Sequence, residues 1–568
     1  MINSPNQIVY TNKAKCRDCN RCVRECPVKA IKIENDQASI IQELCISCGT
    51  CVRTCPQNAK TYRKDIQSVL DMLDAGMPLA VSLAPSIAGF LKDWEIRRLA
   101  SALRKCGFMH ISETAIGAYY TAQKSKEYIE SSNKRVSITT ACPAVVTLVE
   151  KYFPSLSANL VPVVSPMIAH AKAIKNIVDK NLRVIFAGPC ISKKYEKEHY
   201  DAFHDIETVI TFDELFEILK IKGADMNMCE ESEFDMLPGQ YSRLFPLEGG
   251  LLKTAGLQTD SLSLEYLIVS GVQNIQEAFQ YALQSKNKVI IEPLFCENGC
   301  INGPAKYFET GIYSSRHNVL KYDQKNAFAN SVREPEFQLS VLFNAHPIKS
   351  KLKIEEDHIK EVLKQIGKFY PEDELNCGAC GYSSCKQKAI AVLKGMAEIK
   401  MCLPYMRTVA EQKTDKIINS SPNGIVMLDD KLEIISMNPS FKTMFIANDN
   451  LIGKKISYLI DPDPFETLVS HPDDLITKTV HYASYNLICH QLHYAIREEN
   501  RFVGIFVDIT EYQKNKAKLQ DIKTETVTQI QELIEHQIQM SQQLAKFLGE
   551  NMAQGELLLH KLLYSIGK

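Results

Sequence analysis

The sequence has almost no net charge, a single tryptophan and no long apolar run. Lysine plus arginine number 66 and aspartate plus glutamate 67, so the net charge of −1 favours neither nucleic acid nor an anionic membrane as a partner. No apolar run is long enough to span a bilayer. The N-terminal residues lack the apolar core and the cleavage site of a secretory signal. We therefore expect a cytoplasmic protein.

Cysteine is what the sequence has in excess. The chain of 568 residues predicts several domains, and it contains 19 cysteines. All but Cys106, Cys229 and Cys489 lie in clusters or in short turns after apolar runs. A disulfide framework is typical of short secreted domains, which this chain is not. The cysteine count therefore predicts metal binding.

The first sixty residues contain the pattern C-x2-C-x2-C-x3-C-P twice. This pattern is the bacterial two-cluster ferredoxin run, in which the fourth cysteine of each half binds the other cluster. It predicts two [4Fe-4S] clusters, one held by Cys16, Cys19, Cys22 and Cys55 and the other by Cys45, Cys48, Cys51 and Cys26. Zinc is the alternative. Such clusters carry single electrons, so we expect this domain to conduct electrons.

Residues 65 to 345 alternate apolar runs with helical patterns, which predicts an α/β domain with parallel strands. The predicted strands are Pro78–Pro85, Arg135–Thr139, Arg183–Ala187, Glu265–Ser270 and Lys288–Glu292. Cys142 and Cys190 each follow such a strand and precede a helix, where the helix dipole lowers a thiol pKa. Cys296 and Cys300 have the spacing of half a zinc site but lack a nearby second pair. Four thiolates from three such loops can hold one cubane cluster.

Three segments here resemble the H-cluster motifs of the [FeFe]-hydrogenases, namely Thr140–Pro143, Gly188–Lys194 and Phe295–Cys300. Further family signatures follow in the expected order at Ala84-Pro85-Ser86, Phe245 with Gly249-Gly250, and Val269–Val272. The resemblance implies that a [4Fe-4S] cluster is held by Cys142, Cys190, Cys296 and Cys300. It also implies that Cys300 bridges to a two-iron subsite carrying CO, cyanide and a dithiolate. The alternative is that Cys142 and Cys190 are ordinary buried cysteines.

The same resemblance assigns roles around the two-iron subsite. Ala84, Pro85, Ser86 and Lys193 match positions that contact it, and Ser86 and Lys193 match those that hydrogen-bond the cyanides. We therefore expect Lys193, Ser86 and Cys300 to act in catalysis.

The sequence departs from the family where protons are relayed. Ala141 stands where fast members carry a proton-relaying cysteine, and the expected glutamates are missing around Lys124 and Ser125. Gly188 and Leu294 replace the family's methionines. Because the metal ligands are kept while the proton path is lost, the chain resembles the sensory, PAS-containing subgroup.

Cys377, Cys380, Cys385 and Cys402 resemble a small four-cysteine [4Fe-4S] domain of anaerobic electron-transfer proteins, with zinc as the alternative. We expect a helix over Ala389–Met401 to deliver the last ligand.

Residues 413 to 511 resemble a PAS sensor domain, a five-stranded sheet with short helices. Gly424–Leu428 and Leu432–Met437 predict a hairpin, and Phe502–Asp508 predicts a closing strand. We expect the histidines of this region to lie at the surface and Cys489 in the core, with haem ligation as the alternative reading of the histidines.

From Thr510 onward apolar residues recur at helical spacing, which predicts either a self-associating helix or a helix packed on its own PAS domain. No kinase, phosphatase or DNA-binding motif follows.

The sequence thus predicts a multidomain chain of mixed α/β and α+β class. Its predicted parts are a two-cluster ferredoxin domain, an α/β H-cluster domain, a four-cysteine [4Fe-4S] domain, a PAS domain and a C-terminal helix, at residues 1–64, 65–348, 349–412, 413–511 and 512–568. The predicted cofactors are the H-cluster and three further [4Fe-4S] clusters.

The predicted function is a slow iron-only hydrogenase that senses H2 or redox state. The expected partners are H2 and protons, a ferredoxin or other redox protein, a separate kinase or phosphatase, and a second copy of the chain. The alternatives are a ferredoxin-dependent catalytic hydrogenase and an iron–sulfur signalling protein without the two-iron site.

Overall fold

The structure is a computed structural model. It describes residues 7–199, 204–260, 262–305, 310–329, 332, 335–348, 354–516, 534–545, 548, 552 and 559. It divides into two compact units, Met1–Leu403 and Pro404–Lys568. No helix among the described residues is both long enough and apolar enough to cross a membrane.

The N-terminal domain folds as an internal repeat. Its strands pair antiparallel, β1 with β4 and β2 with β3, and each half carries one short helix: β1 (Val9–Thr11), α1 (Arg21–Glu25), β2 (Ile31–Glu34), β3 (Gln37–Ile40), α2 (Thr50–Arg53) and β4 (Lys60–Tyr62). The backbone repeats as well, since Asn20 (φ 55°) and Gly49 (φ 75°) take the same left-handed conformation before the helix of each half. The duplicated sequence therefore gives a duplicated structure.

The second domain contains two parallel sheets, in the orders β6-β5-β8-β9 and β10-β11-β7. Their strands are β5 (Leu79–Leu83), β6 (His110–Glu113), β7 (Val136–Ile138), β8 (Arg183–Gly188), β9 (Ile206–Thr211), β10 (Tyr266–Ser270) and β11 (Val289–Leu294). Most of these strands are buried along nearly their whole length, which explains their continuous apolar runs. The five predicted strands are confirmed, whereas β6 and β9 were not predicted.

Helices cover both parallel sheets. They are α3 (Ile66–Asp74), α4 (Asp93–Cys106), α5 (Ala115–Ser131), α6 (Pro143–Tyr152), α7 (Pro166–Ala173), α8 (Ser192–His199), α9 (Phe212–Ile221), α10 (Gly250–Thr254), α11 (Val272–Gln284) and α12 (Ile312–Lys325). One buried ion cluster joins α8 and α9, because Lys194 contacts Glu214 at 2.9 Å and Asp65 at 2.7 Å. The side chain of Lys194 is fully buried, although paired lysines in a sequence usually indicate surface.

The four-cysteine domain contributes α13 (Glu356–Gln365), α14 (Cys385–Leu393) and a short helical turn at Ile399–Met401. The predicted helix over Ala389–Met401 is therefore only partly correct. The helix ends at Leu393, and the chain then passes through Gly395, whose φ of 66° is left-handed. Cys402 follows the short turn instead of a continuous helix.

The second unit contains a five-stranded antiparallel sheet in the order β13-β12-β16-β15-β14. Its elements are α15 (Leu403–Ser420), β12 (Gly424–Leu428), β13 (Ile434–Met437), α16 (Pro439–Met444), α17 (Asp463–Ser470), β14 (Ile476–Tyr482), β15 (Leu487–Ile496), β16 (Arg501–Asp508) and α18 (Thr510–Lys516). The predicted hairpin is confirmed by the antiparallel pairing of β12 with β13. Asn438 begins α16 by accepting a hydrogen bond from the Phe441 amide at 2.9 Å.

The two faces of this sheet have different partners. On one face Cys489 is fully buried with Phe441 and Phe506, as predicted. His493 is also fully buried, with its Nε2 2.9 Å from the Gln491 side-chain oxygen, so its predicted surface position is wrong.

The opposite face buries part of the C-terminal segment. Leu492, Tyr494 and Val503 pack there against Ile534 and Ile538. The apolar stripe was predicted either to self-associate or to pack on its own PAS domain. Ile534 and Ile538 pack on the sheet of their own chain. Most of the remaining stripe lies outside the described residues.

Candidate metal centres

Three loops at the carboxyl ends of parallel strands carry Cys142, Cys190, Cys296 and Cys300. Cys142 follows β7 and caps α6, whose first residue is Pro143. Cys190 follows β8 and precedes α8, while Cys296 and Cys300 follow β11, which pairs in parallel with β7. The strand-to-helix turns expected around Cys142 and Cys190 are therefore present. The topology brings all four cysteines to one region, where sites form in such folds.

The four thiols influence one another electrostatically. Burial raises the pKa of Cys296 well above its usual value, and the neighbouring thiols Cys190, Cys300 and Cys142 raise it further. Burial is also the main cause that raises the pKa of Cys190 to about 11, and there the Lys193 charge opposes it. Four half-buried thiolates in one place therefore need positive charge among them, which an iron–sulfur cluster supplies.

Backbone packing around Cys300 leaves no room for side chains at the flanking glycines. A Cβ at Gly299, whose φ is 85°, would lie 2.2 Å from the Pro246 carbonyl oxygen. A Cβ at Gly303 would lie 2.6 Å from the Pro189 carbonyl oxygen. The Cys300 amide donates to Pro246 at 2.7 Å. The two glycines thus let three chain segments close around the thiol.

Ser86 and Lys193 both lie in buried positions. Ser86 is in the helical turn Pro85–Gly89 directly after β5, and its buried hydroxyl has no hydrogen-bond partner among the described residues. The Ala84 amide donates to Ala187 of β8 at 2.9 Å, which ties this turn to the strand that leads to Cys190. A buried hydroxyl without a partner fits a site that a bound group completes.

Lys193 is held by a residue that sequence reasoning missed. Its Nζ lies 2.8 Å from a Glu196 carboxylate oxygen, and both side chains are buried. Glu196 is three positions further along α8, so helical spacing is the signal that could have identified it. The same Nζ is 3.5 Å from the Ala141 carbonyl oxygen, which places Lys193 beside the Cys142 loop.

Ala141 has apolar surroundings. It packs with a cluster that includes Ala118, Ala122 and Leu251. Lys124 pairs with Glu127 at the surface. Ser125 is buried, and its hydroxyl has no hydrogen-bond partner among the described residues. The methyl group of Ala141 therefore offers the described residues around it neither a proton donor nor a proton acceptor.

Glu292 connects the segment that begins at Gly249-Gly250 to β11, the strand that leads to Cys296. Its carboxylate accepts hydrogen bonds from the Leu251 and Leu252 amides at 3.1 and 3.0 Å, which anchors α10 to β11. Burial raises the pKa of Glu292 to about 7. Ser270 similarly bridges segments, since its hydroxyl accepts from the Asn298 amide at 3.1 Å.

The N-terminal cysteines form the two crossed sets expected from the repeat. Cys16, Cys19, Cys22 and Cys55 line one small cavity. In the other set, burial raises the pKa of Cys48 to about 12, with further contributions from Cys26 and Cys45. The pKa of Cys51 is likewise raised by burial, with further contributions from Cys48, Cys45 and Cys26. Each set thus contains the fourth cysteine of the opposite half.

The last set surrounds a buried lysine. Lys388 interacts electrostatically with Cys402, Cys380 and Cys385, and Cys377 adds to the electrostatic environment of Cys380. The Lys388 ammonium donates to the Ile399 carbonyl at 2.7 Å. Sequence reasoning gave this lysine no role.

Within the described part of the chain, no three histidine, cysteine or carboxylate side chains converge on a point that a single metal ion could occupy. A cubane spreads its four thiolate ligands over four iron atoms. The residues of all four sets fit iron–sulfur clusters.

The Cys45–Cys51 loop lies against the loops of the α/β domain that carry Cys190 and Cys300. Ser192 donates to the Ser47 carbonyl at 2.9 Å, and Arg53 donates to the Asn302 carbonyl at 3.0 Å. A Cβ at Gly49 would lie 2.6 Å from Pro304. The two cysteine sets are therefore neighbours.

Comparisons with known proteins agree with this architecture. Residues 77–304 match the family described as the iron only hydrogenase large subunit, C-terminal domain. Residues 8–65 match a 4Fe-4S dicluster domain, residues 373–404 an Fe-S cluster family and residues 412–480 a PAS domain. These matches confirm the predicted resemblance to an iron-only hydrogenase with iron–sulfur and PAS domains.

Curated relatives include hydrogenases. Iron hydrogenase 1 of Clostridium pasteurianum is 28% identical over 255 residues, which cover 36% of this chain and 44% of that protein. The periplasmic [Fe] hydrogenase large subunit of Nitratidesulfovibrio vulgaris is 26% identical over 210 residues, which cover 32% of this chain and 49% of that protein. The chain thus spans about half the length of these relatives. A solved [FeFe]-hydrogenase of Chlamydomonas reinhardtii is 16% identical at a TM-score of 0.42, covering 50% of this chain and 100% of that one.

Proposed function

We propose that this chain is a slow iron-only hydrogenase that senses H2 or redox state in the cytoplasm. The observation that carries the proposal is the contrast within one loop. Cys142 lies beside Cys190, Cys296 and Cys300, while its neighbour Ala141 packs among apolar side chains. A centre that binds its metals but exchanges protons slowly suits a sensor, because its redox state lasts long enough to be read.

The chain's own residues have distinct roles in this proposal. Cys142, Cys190, Cys296 and Cys300 would hold the cubane, and Cys300 would also join it to the two-iron subsite. Lys193, which Glu196 positions, and the Ser86 hydroxyl would hydrogen-bond the cyanides. Ala84 and Pro85 would contact the same subsite. When bound, the two-iron subsite supplies a metal that takes H2 and a basic amine that takes its proton.

Electrons leave the centre through the N-terminal domain. The Cys45, Cys48, Cys51 and Cys26 set is nearest, because its loop contacts Ser192 and Asn302. The Cys16, Cys19, Cys22 and Cys55 set follows and exchanges electrons with a ferredoxin or another redox protein. The PAS domain and the C-terminal helix pass the signal to a separate kinase or phosphatase, and the chain acts as a homodimer.

Infrared spectroscopy of the matured protein, together with a turnover assay, tests this function. We expect CO and cyanide stretching bands and slow H2 turnover. Bands with fast turnover would make the chain a catalytic hydrogenase. Absence of the bands after maturation would leave an iron–sulfur signalling protein without the two-iron site.

A further inference from the structure

The four-cysteine domain is docked on helix α1 of the N-terminal domain through a glycine. Gly381 has a left-handed φ of 93°, and a Cβ there would lie 2.8 Å from Val23 Cγ1 and 3.1 Å from the Arg24 amide nitrogen. Arg24 also donates to the Ala379 carbonyl at 2.8 Å. The Cys380 loop therefore contacts helix α1, which contains Cys22 and ends just before Cys26.

A second set of contacts fixes the orientation of this docking. The Ile33 amide of β2 donates to the Met396 carbonyl at 3.0 Å, and the Asn35 amide donates to the Glu398 carboxylate at 2.5 Å. The two domains also share one hydrophobic core, whose buried members include Val23, Ile31, Ile33, Tyr382, Ala391 and Met401. Two separate anchors and a common core hold the domains in one arrangement.

Tyr382 lies between cysteines of two different sets. It is buried, its hydroxyl has no hydrogen-bond partner among the described residues, and it interacts electrostatically with both Cys380 and Cys26. Lys29 interacts with the same two thiols, while its Nζ donates to the Val23 and Arg24 carbonyls at 2.9 Å each. Cys26 and Cys380 thus share their neighbours.

The Cys26 set also contacts the domain that carries the candidate hydrogen-converting centre. Lys151 donates to the Cys45 carbonyl at 2.7 Å, and Tyr152 donates to the Leu44 carbonyl at 2.7 Å. Cys48 and Cys142 pack on the same hydrophobic cluster. The Cys26 set is therefore in contact with both the α/β domain and the four-cysteine domain.

We propose that Gly381 and Tyr382 hold the Cys377–Cys402 site in contact with Cys26. This contact gives electrons from the hydrogen-converting centre a second transfer path within the chain. This inference rests on the proposed function, since it requires iron–sulfur clusters in both sets. In the transfer, the cluster held with Cys26 is oxidised by one electron and the cluster held with Cys380 is reduced by one. No bond forms or breaks, and no proton moves. The N-terminal domain is then a branch point, with the Cys16 set as its other outlet.

The proposed contact between the two cysteine sets can be tested by electron paramagnetic resonance. The sample is the full-length, iron-loaded protein reduced with dithionite. We expect magnetic coupling between the clusters of the Cys26 and Cys380 sets, and its loss in Gly381→Ala with iron content unchanged. Gly395→Ala is the matched control, because Gly395 is also left-handed at φ 66° but has no atom within 4 Å of its Cβ position. Coupling that persists in Gly381→Ala, or that is lost equally in Gly395→Ala, would overturn the inference.

A second pair of variants decides the matter if Gly381→Ala loses iron. Tyr382→Leu should abolish the coupling, whereas Tyr370→Leu, at an exposed tyrosine of the same domain, should preserve it. Equal magnetic coupling in the two tyrosine variants would refute the proposed contact between the two cysteine sets. The wild-type iron content separates the two proposals. A full complement of four irons per cysteine set without coupling contradicts only this inference, whereas missing iron contradicts the proposed function as well.

Discussion

Lys193 Nζ lies 3.5 Å from the carbonyl oxygen of Ala141. The lysine that matches the hydrogenase pattern is therefore adjacent to the alanine that departs from it. Glu196 holds the lysine from the other side at 2.8 Å. Since the Ala141 contact uses the backbone, a change of the Ala141 side chain leaves the lysine's position intact. The loop can thus lose its proton relay without losing its hold on the metal centre.

Cys300→Ala should abolish the two-iron subsite, because that thiolate is its proposed only bond to the protein. We expect the CO and cyanide infrared bands to disappear after maturation. Intact CO and cyanide bands in the purified variant would contradict the assignment of Cys300 as the ligand of the two-iron subsite. Cys229→Ala provides a control, since Cys229 belongs to none of the four sets and should leave the bands unchanged.

Cys380→Ala should remove one cluster and leave hydrogen chemistry intact. The expected loss is about four irons per chain, measured by iron quantification, with the CO and cyanide bands retained. The reason is that the Cys380 loop contacts α1 of the N-terminal domain, whereas Cys142, Cys190 and Cys300 lie in loops of the α/β domain. Unchanged iron content would count against the assignment.

Acid should destabilise the α/β domain through His170. This side chain is fully buried between Ser82 and Ser112, at 2.7 and 3.1 Å, and burial lowers its pKa to about 3, with a smaller effect from His110. An unfolded histidine has a pKa of about 6.5, so below that pH the unfolded state binds more protons. The stability is therefore complete above about pH 6.5 and falls as the pH drops toward 3, by up to about 1.4 kcal/mol per pH unit.

Trp94 makes this measurable, because it is the single tryptophan of the chain and lies in α4 of that domain. Urea unfolding followed by its fluorescence should show a steeper loss of the free energy of unfolding between pH 7 and 5 in the wild type than in His170→Gln. The exposed His358 provides the control, so His358→Gln should follow the wild type. Equal slopes in the wild type and His170→Gln would contradict the assignment.

Sequence patterns predicted the strands that lead to the cysteines, because buried parallel strands are continuous apolar runs. They missed β6, which contains three polar residues, His110, Ser112 and Glu113. In the fold, those residues find buried partners, since Ser112 contacts His170 and Glu113 pairs with Arg243 at 2.7 Å. Tertiary partners of this kind are not visible in a local pattern.

The same limit explains two other errors. His493 lies on the strand face of Cys489 and Gln491, so its burial could have been read from alternation along β15. The early end of α14 depends on the left-handed Gly395, which the helical pattern alone did not reveal. The cysteine spacing, by contrast, predicted that Cys55 joins the first three cysteines of the other half, and Cys16, Cys19, Cys22 and Cys55 do line one cavity. That the sets hold clusters stays a prediction.

Removing residues 510–568 should weaken self-association. We expect residues 413–568 to hold most of the homodimer interface, partly because the sequence shows no other burial partner for the apolar stripe. The structure provides a partner for Ile534 and Ile538, which pack on the PAS sheet, so the truncation also uncovers Leu492 and Tyr494. The mass in solution should fall toward that of a monomer. A truncated chain that stays fully dimeric would move the interface elsewhere.

Ala141→Cys should raise hydrogen turnover. Proton transfer needs donors and acceptors about 2.6–3.2 Å apart or bridged by one water, and positioned acid–base groups typically contribute roughly 10²–10⁴-fold in rate. A methyl group packed with Ala118 and Ala122 supplies neither donor nor acceptor. Native turnover should therefore be slower than in relay-bearing hydrogenases by about that factor, while the thiolate of Cys142 still binds its cluster.

The gain from Ala141→Cys should be partial, because the missing glutamates around Lys124 and Ser125 still interrupt the outer path. Lys124 is paired with Glu127 at the surface, and the hydroxyl of Ser125 is a poor substitute for a carboxylate as a proton acceptor. Ala141→Ser provides a matched control of similar size without a thiol and should give a smaller gain. Native turnover as fast as that of relay-bearing members would refute the sensory function. No gain from Ala141→Cys would show that the outer path, or electron transfer, limits the rate.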